Sequence, residues 1–315
     1  MLGRGVARSL AQGGDAVTVL QRRPTGSGLR EVLGDVADPA VVADAATGQD
    51  AVVHLAARVS VTGPWDEFER VNVQGTRALL GAAREAGVAR FVQVSSPSVA
   101  HAGEPLVGVG AAPADPQRAR GHYARSKALA ERAALAADAD GFAVVAVRPH
   151  LVWGPGDTQL VGRIVDRARR GRLVLIDGGT ALIDSTYVDN AVDAVVAALD
   201  RADVVHGEAF VVTNGQPRTV FELLSRICLA CGAPAPTRSV PRAVARSGGG
   251  VVESAWSLTR REDEPPMTRF LAEQLSTAHW FDQRRTREAL AWSPRVTLDE
   301  GFARLAVHHS PTPPS

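Results

Sequence analysis

Lysine is all but missing from this chain. Of its 35 basic residues one, Lys127, is a lysine and the rest are arginines; tyrosine, methionine and cysteine occur twice each, and aromatics amount to 5%. The formal net charge is +1 and the densest basic cluster is the short "RARRGR", so the charge pattern makes no provision for nucleic acid. No uninterrupted apolar stretch reaches the roughly 18 residues of a membrane helix, and the opening residues do not read as a secretory signal. Cys228 and Cys231 form one CxxC inside "TVFELLSRICLACG". A zinc site would need a second ligand pair, and no Cys/His pair lies nearby, so no metal is expected and the two read as buried helix cysteines. Few cysteines and no signal lead us to expect a reducing, cytoplasmic location.

What is present fits an ordinary soluble globular protein, 315 residues long with 45% apolar and 22% charged residues, enough for one large domain or two unequal ones. Short apolar strands alternate with helical patterns, which argues for a parallel sheet covered by helices. "LGRGVARSLAQGG" reads as an amphipathic helix, "AVTVL" as a strand, and a second short strand ends at "GDV". "DPAVVADAATG" is a helix with an Asp-Pro start, "DAVVHLAA" a buried strand, "WDEFERVNVQGTRALLGAAREAG" one long helix, and "RFVQVSS" and "FAVVAVRP" further strands. Past about residue 155 the pattern loosens: a helix near 158–170, a strand pair near 172–187, the helix "VDNAVDAVVAALD", the strand "EAFVVTNG", then a mostly helical remainder with a glycine-rich break at Gly248 to Gly250. The division expected is a dinucleotide-binding domain over 1–155, with 184–213 returning to it, and a mainly substrate-binding domain over 156–315.

The single lysine stands in "GHYARSKALAE", four residues after Tyr123. Residues i and i+4 share a helix face. A phenol titrates near 10, too high for an acid or base at neutral pH. A positive charge about 4 Å away contributes about 4 kcal/mol at an effective dielectric of about 20, equivalent to roughly three pKa units. The spacing therefore predicts a phenolate within reach at about pH 7. Read without function, the pair is a feature of a helix surface.

At these residues the chain resembles the short-chain dehydrogenase/reductase superfamily in its extended branch, and the resemblance runs over nearly the whole length. Tyr123 and Lys127 match that family's YxxxK, and "SSPSV" matches the strand end that carries its catalytic serine, here Ser96. Ser96 could equally be a polar strand end capping a turn. "VVHLAA", with His54, Ala56 and Ala57, is similar to the segment under the cofactor; "VNVQGT" to the one whose asparagine, Asn72, supports the active site; "GDV", with Asp35 and Val36, to the adenine-contacting turn; "VRPHLVWGPGD", with Pro149, to the loop beside the nicotinamide. The resemblance implies a Rossmann-like doubly wound α/β sheet with a smaller, mostly helical C-terminal part. It also implies roles: Tyr123 exchanges a proton with a hydroxyl or carbonyl while hydride moves to or from a nicotinamide, Ser96 bonds the same oxygen, and Lys127 lowers the tyrosine's pKa and grips the nicotinamide ribose. The C-terminal stretch "EPPMTRFLAEQLSTAHWFDQRRTREALAWSPRVTLDEGFARL" is similar to the 3β-hydroxysteroid dehydrogenase-like group, which includes 2-alkyl-3-oxoalkanoate reductases.

Two features bear on the cofactor. The strand "VTVLQRRP" ends in Gln21, Arg22 and Arg23 with no acid; an acid there would select NAD through the ribose hydroxyl, whereas arginine accommodates the extra phosphate of NADP. NADP is expected, with NAD as the other possibility. The family's TGxxGxxG turn is represented only by its third glycine, Gly3, in "MLGRGVARSL". The expectation is that Met1 is not the true start, and that the sheet lacks its first strand, which would lie between "AVTVL" and "AVVHLAA". The function expected is an NAD(P)-dependent oxidoreductase acting on a small apolar molecule of 3β-hydroxysteroid or long-chain β-keto acid type. A sugar-nucleotide epimerase or dehydratase is the enzyme alternative, and a non-catalytic NADP-sensing protein is the alternative from another class. Trp153, Trp256 and Trp280 either line an apolar pocket or pack a core, and a homodimer stays open.

Overall fold

The computed structural model describes residues 1–60, 63–245 and 276–310. Its centre is a parallel sheet of four strands in the order β11-β6-β4-β3 (β3 Ala51–His54, β4 Arg90–Val94, β6 Ala143–Pro149, β11 Ala209–Val212). These strands are runs of Val, Ala and Phe because helices cover both faces of the sheet; Val144, Val145, Ala146 and Val147 are all 0% exposed. A second parallel pair, β1 (Thr18–Gln21) with β2 (Arg30–Leu33), is hydrogen-bonded only within itself. Among the described residues, then, β1 and β3, the strands expected to flank a missing one, are not joined to each other.

The helices follow their local signals. Asp38 caps α2 (Pro39–Ala46) by accepting from Ala40 N, with proline in the first turn. Helix α1 (Leu2–Gly13) ends on Gly14, which is left-handed at φ 100, and lies against α7 (Val188–Asp200). Gly5 permits that approach: a Cβ there would sit 2.6 Å from a Val192 methyl. Gly5→Ala is expected to destabilise the protein by about 1–3 kcal/mol through overpacking, read as a lower urea midpoint; an unchanged midpoint would mean that the two helices part freely.

The long helix runs unbroken, as α3 (Trp65–Phe68), a π-helical stretch over Glu69–Gln74, and α4 (Gly75–Glu85). The C-terminal part carries substantial helix. Besides α9 (Val220–Ala230), α10 (Arg284–Leu290) and α11 (Leu298–His309), it builds a small mixed sheet from strands of two to four residues, in the order β12-β9-β14-β5 (β5 Leu106–Val109, β9 Leu182–Ile183, β12 Arg218–Thr219, β14 His279–Phe281). Strand β11, the "EAFVVTNG" segment, lies at the edge of the main sheet beside β6. Among the described residues no helix is long and apolar enough to cross a membrane.

Candidate active site

Helix α5 (Gly121–Leu135) supplies the centre of the site. Tyr123 and Lys127 stand one turn apart on it, and the Lys127 side chain is buried at 3% exposure. Opposite them, Ser96 stands two residues past the end of β4. Its Oγ caps the 3₁₀ turn Pro97–Ala100 by accepting from Ser98 N at 3.3 Å and from Ser98 Oγ at 3.0 Å, and its hydroxyl stands near enough to the Tyr123 phenol to lower its pKa. The capping reading of Ser96 therefore holds, and the same side chain stands beside Tyr123.

The electrostatics depart from the expectation. The phenol is pushed up to about 12 by burial, with the Ser96 hydrogen bond pulling the other way. Lysine gives the phenol no help there, because Lys127 has lost its charge before a group near 12 titrates; its Nζ donates to the backbone oxygen of Val94 at 2.6 Å. Burial also brings Lys127 down to about 8, opposed by the charge of Glu131. Tyr123 in this structure is a protonated phenol at neutral pH.

Asn72 ties the site together from within the π-helical stretch, a distortion found often at functional sites. Its Oδ1 accepts from Arg58 N at 2.7 Å, and its Nδ2 donates to Ser126 Oγ at 2.9 Å and to Arg58 O at 3.2 Å. Ser126 Oγ in turn donates to the backbone oxygen of Tyr123 at 2.8 Å. Behind this, Thr76 Oγ1 donates to Asn72 O at 2.7 Å and lies 3.0 Å from His54 Nε2. Since that hydroxyl's one proton is used, Nε2 must be the donor. His54 is buried at the end of β3, and burial plus the nearby Lys127 charge bring it down to about 3. Ser126, Thr76 and Arg58 were missed in the sequence, where a neutral Ser or Thr in a helix gives no signal.

The remaining candidate positions are more scattered. Asp35 accepts from Ala37 N at 3.0 Å and from Arg70 Nη1 at 2.8 Å; these bonds, the first foremost, hold its carboxyl below the usual range, and the Arg22 charge adds to them. Val36 is buried with Val42, Leu79 and Leu80, so only its backbone can serve a ligand. Arg22 and Arg23 are exposed at the end of β1, Ala56 is exposed, and Ala57 and Pro149 are half-buried. Gly3 lies in α1, where a Cβ would meet nothing within 4 Å, so its lack of a side chain serves no packing purpose.

The residues present fit a dinucleotide on their own chemistry. Gly3 leaves open space at the start of α1, the small Ala56 and Ala57 follow β3, and two arginines, Arg22 and Arg23, are exposed at the end of β1, with the charge of Arg22 felt by Asp35. Glu31 on β2 is engaged with the amide and hydroxyl of Thr25. Buried Gln93 Oε1 on β4 and Ser95 Oγ just after it have no protein partner.

A buried cluster lies beyond the strand ends. His101, His150 and His279 meet with ring centroids 4.8 Å (101 to 279) and 6.3 Å (150 to 279) apart. His150 Nδ1 lies 2.7 Å from Asp184 O, and Asp184 Oδ2 accepts from Phe281 N at 3.0 Å. Trp153 is core, 0% exposed and stacked on Phe302 at 4.6 Å with Nε1 donating to Ser185 Oγ. Trp280 packs over Gly108, where a Cβ would meet its ring at 2.9 Å; Trp256 and the glycine break at Gly248 to Gly250 lie outside the described residues. Cys228 and Cys231 are free and buried in and after α9.

Residues 1–213 match the model of the NAD dependent epimerase/dehydratase family. The chain belongs to that family. It is 39% identical to a 2-alkyl-3-oxoalkanoate reductase of Stenotrophomonas maltophilia, over 96% of this chain and 95% of that one. It is 29% identical to human sterol-4-alpha-carboxylate 3-dehydrogenase, decarboxylating, over 96% and 84%. Among solved structures it resembles MoeE5 in complex with UDP-glucose and NAD, at TM-score 0.75 and 26% identity, over 98% and 94%. A nicotinamide-dependent oxidoreductase of Rossmann-like fold accounts for the family match and for the named relatives alike.

Proposed function

We propose that this protein reduces the ketone of an apolar β-keto acid, or a sterol-type ketone, to the alcohol with NADPH. The observation that carries the reading is the meeting of Ser96, Tyr123 and Lys127 at the end of β4, with the phenol protonated. A protonated phenol is the form a ketone reduction needs. When bound, the reduced nicotinamide supplies the hydride to the carbonyl carbon. Tyr123 Oη gives its proton to the carbonyl oxygen, and Ser96 Oγ, which already lowers the pKa of that phenol, steadies the phenolate left behind. Lys127, Gly3, Asp35, Val36, His54, Ala56, Ala57 and Pro149 are the residues that would hold the cofactor, with Asn72 bracing α5 from behind. In this reading residues 1–155, with 184–213, form the cofactor half and 156–315 mainly shape the substrate side. The β-keto acid class is supported by the 39% and 35% identical relatives named 2-alkyl-3-oxoalkanoate reductase.

The test is NADPH oxidation against 2-alkyl-3-oxoalkanoic acids, ketosteroids and nucleotide sugars. Turnover of the first class is expected; turnover of nucleotide sugars alone would overturn the reading in favour of an epimerase or dehydratase.

Cofactor choice has its own test. Arg22 and Arg23 are proposed to meet the 2′-phosphate of NADPH. Charge-assisted bonds of this kind are about twice as strong as neutral ones, so Arg22→Ala with Arg23→Ala should raise the Kd for NADPH by about 10-fold or more and leave that for NADH nearly unchanged. Equal losses for the two cofactors would remove the assignment.

A further inference from the structure

Helix α5 carries a third charged residue on the face of Tyr123 and Lys127. Glu131 stands one turn beyond the lysine and is 0% exposed. Arg148 on β6 grips it with two bonds, Nε to Oε2 at 2.8 Å and Nη2 to Oε1 at 2.5 Å, while its Nη1 donates to Ala112 O at 2.7 Å. Neither side chain exposes more than 2% of its surface. A buried pair of this kind seldom stabilises more than apolar residues of the same volume would. Its place in the helix suggests another purpose.

We propose that Glu131, clamped by Arg148, is a positioning residue for Lys127: its carboxylate keeps the buried ammonium charged and directed at β4 in the working pH range. The inference rests on the role given to Lys127 above. Burial alone drives an amine toward its neutral form, and Lys127 is brought down to about 8 even with Glu131 opposing the fall. The other groups that face the lysine do not take over this task. His54 on β3, held near 3, is uncharged when the lysine titrates. The π-helical stretch presents neutral Asn72 to α5, and the turn after β4 presents the hydroxyl of Ser96. Arg148 fixes the carboxylate and, if Glu131 is neutralised, becomes an unpaired cation that adds to the pressure on the lysine.

Because Lys127 is the only lysine, protein labelled with ¹³Cε-lysine gives one side-chain resonance, whose titration can be followed by NMR without any assay. The midpoint is expected near the value of about 8 set by burial and Glu131. In Glu131→Gln it should fall by about one pH unit or more, and the alkaline limb of kcat/KM should fall with it. If that variant does not fold, Glu131→Leu combined with Arg148→Met removes the pair at similar volume and should lower the midpoint as well. A midpoint that stays in place in the folded variant overturns the inference and leaves the pair a packing element. A midpoint that moves while the kcat/KM limb does not supports the charge link and counts instead against Lys127 in catalysis.

Discussion

Tyr123→Phe is expected to lower kcat for ketone reduction by at least about 100-fold, the lower end of what a positioned proton donor contributes, while the Kd for NADPH stays within about twofold. The reasons are local. The phenol oxygen carries a transferable proton and feels the Ser96 hydroxyl, which lowers its pKa. The helix that holds it is braced independently of that oxygen, since Ser126 and Asn72 bond the backbone of Tyr123 and of Arg58 rather than the ring. Removing one oxygen should therefore leave the scaffold standing, and a cofactor gripped through Lys127 should still bind. Because burial pushes the phenol up to about 12, the wild-type enzyme should show no alkaline limb from Tyr123 below about pH 10 in the free protein; an alkaline limb nearer 8 belongs to Lys127. Retained turnover in Tyr123→Phe, measured with saturating NADPH, would remove the mechanism.

The three residues proposed to react were named in the sequence because each sits where a short-range rule places it. Tyr123 and Lys127 are one helical turn apart, and Ser96 stands two residues past an apolar strand. The orientation of Lys127 was not legible. Spacing puts two side chains on one face, but the 2.6 Å bond from Nζ to Val94 O depends on how β4 passes under α5. The π-helical stretch escaped for a related reason: one extra residue in a turn leaves the apolar periodicity of "ERVNVQ" nearly intact. Glu131 and Arg148 are 17 residues apart and meet only because the strand after α5 lies against it. The sheet β12-β9-β14-β5 draws strands of two to four residues from widely separated segments, too short for an alternating pattern to show. The same holds for the histidine cluster, whose members come from the turn after β4, the end of β6 and β14.

That cluster leads to the other large effect, a steep loss of stability in mild acid. Burial brings His54 and His279 down to about 3 and His150 to about 4 from an ordinary 6.5. A histidine whose pKa is depressed on folding contributes stability that is complete above 6.5 and is lost as pH falls toward the folded value. Depressions of this size correspond to about 3–5 kcal/mol for each group, against a total stability of about 5–15 kcal/mol for a typical protein. Asp184 works in the opposite direction. Burial raises its carboxyl from 3.8 to about 6, so folding gains as pH falls from about 6 to 3.8, but this is one group against three. The histidines also oppose one another: His101 and His279 are 4.8 Å apart and His150 and His279 6.3 Å, so after the first proton a second is harder to accept folded than unfolded. The urea midpoint should therefore fall continuously from pH 7 and the protein should unfold cooperatively between about pH 5 and 4, before the folded histidines titrate. His279→Gln, which keeps a polar group within reach of Thr277, should make the decline shallower by about one proton. A midpoint that is level from pH 7 to pH 4.5 would mean that the histidines take up protons without leaving the core, and the cluster would then have to be open to water.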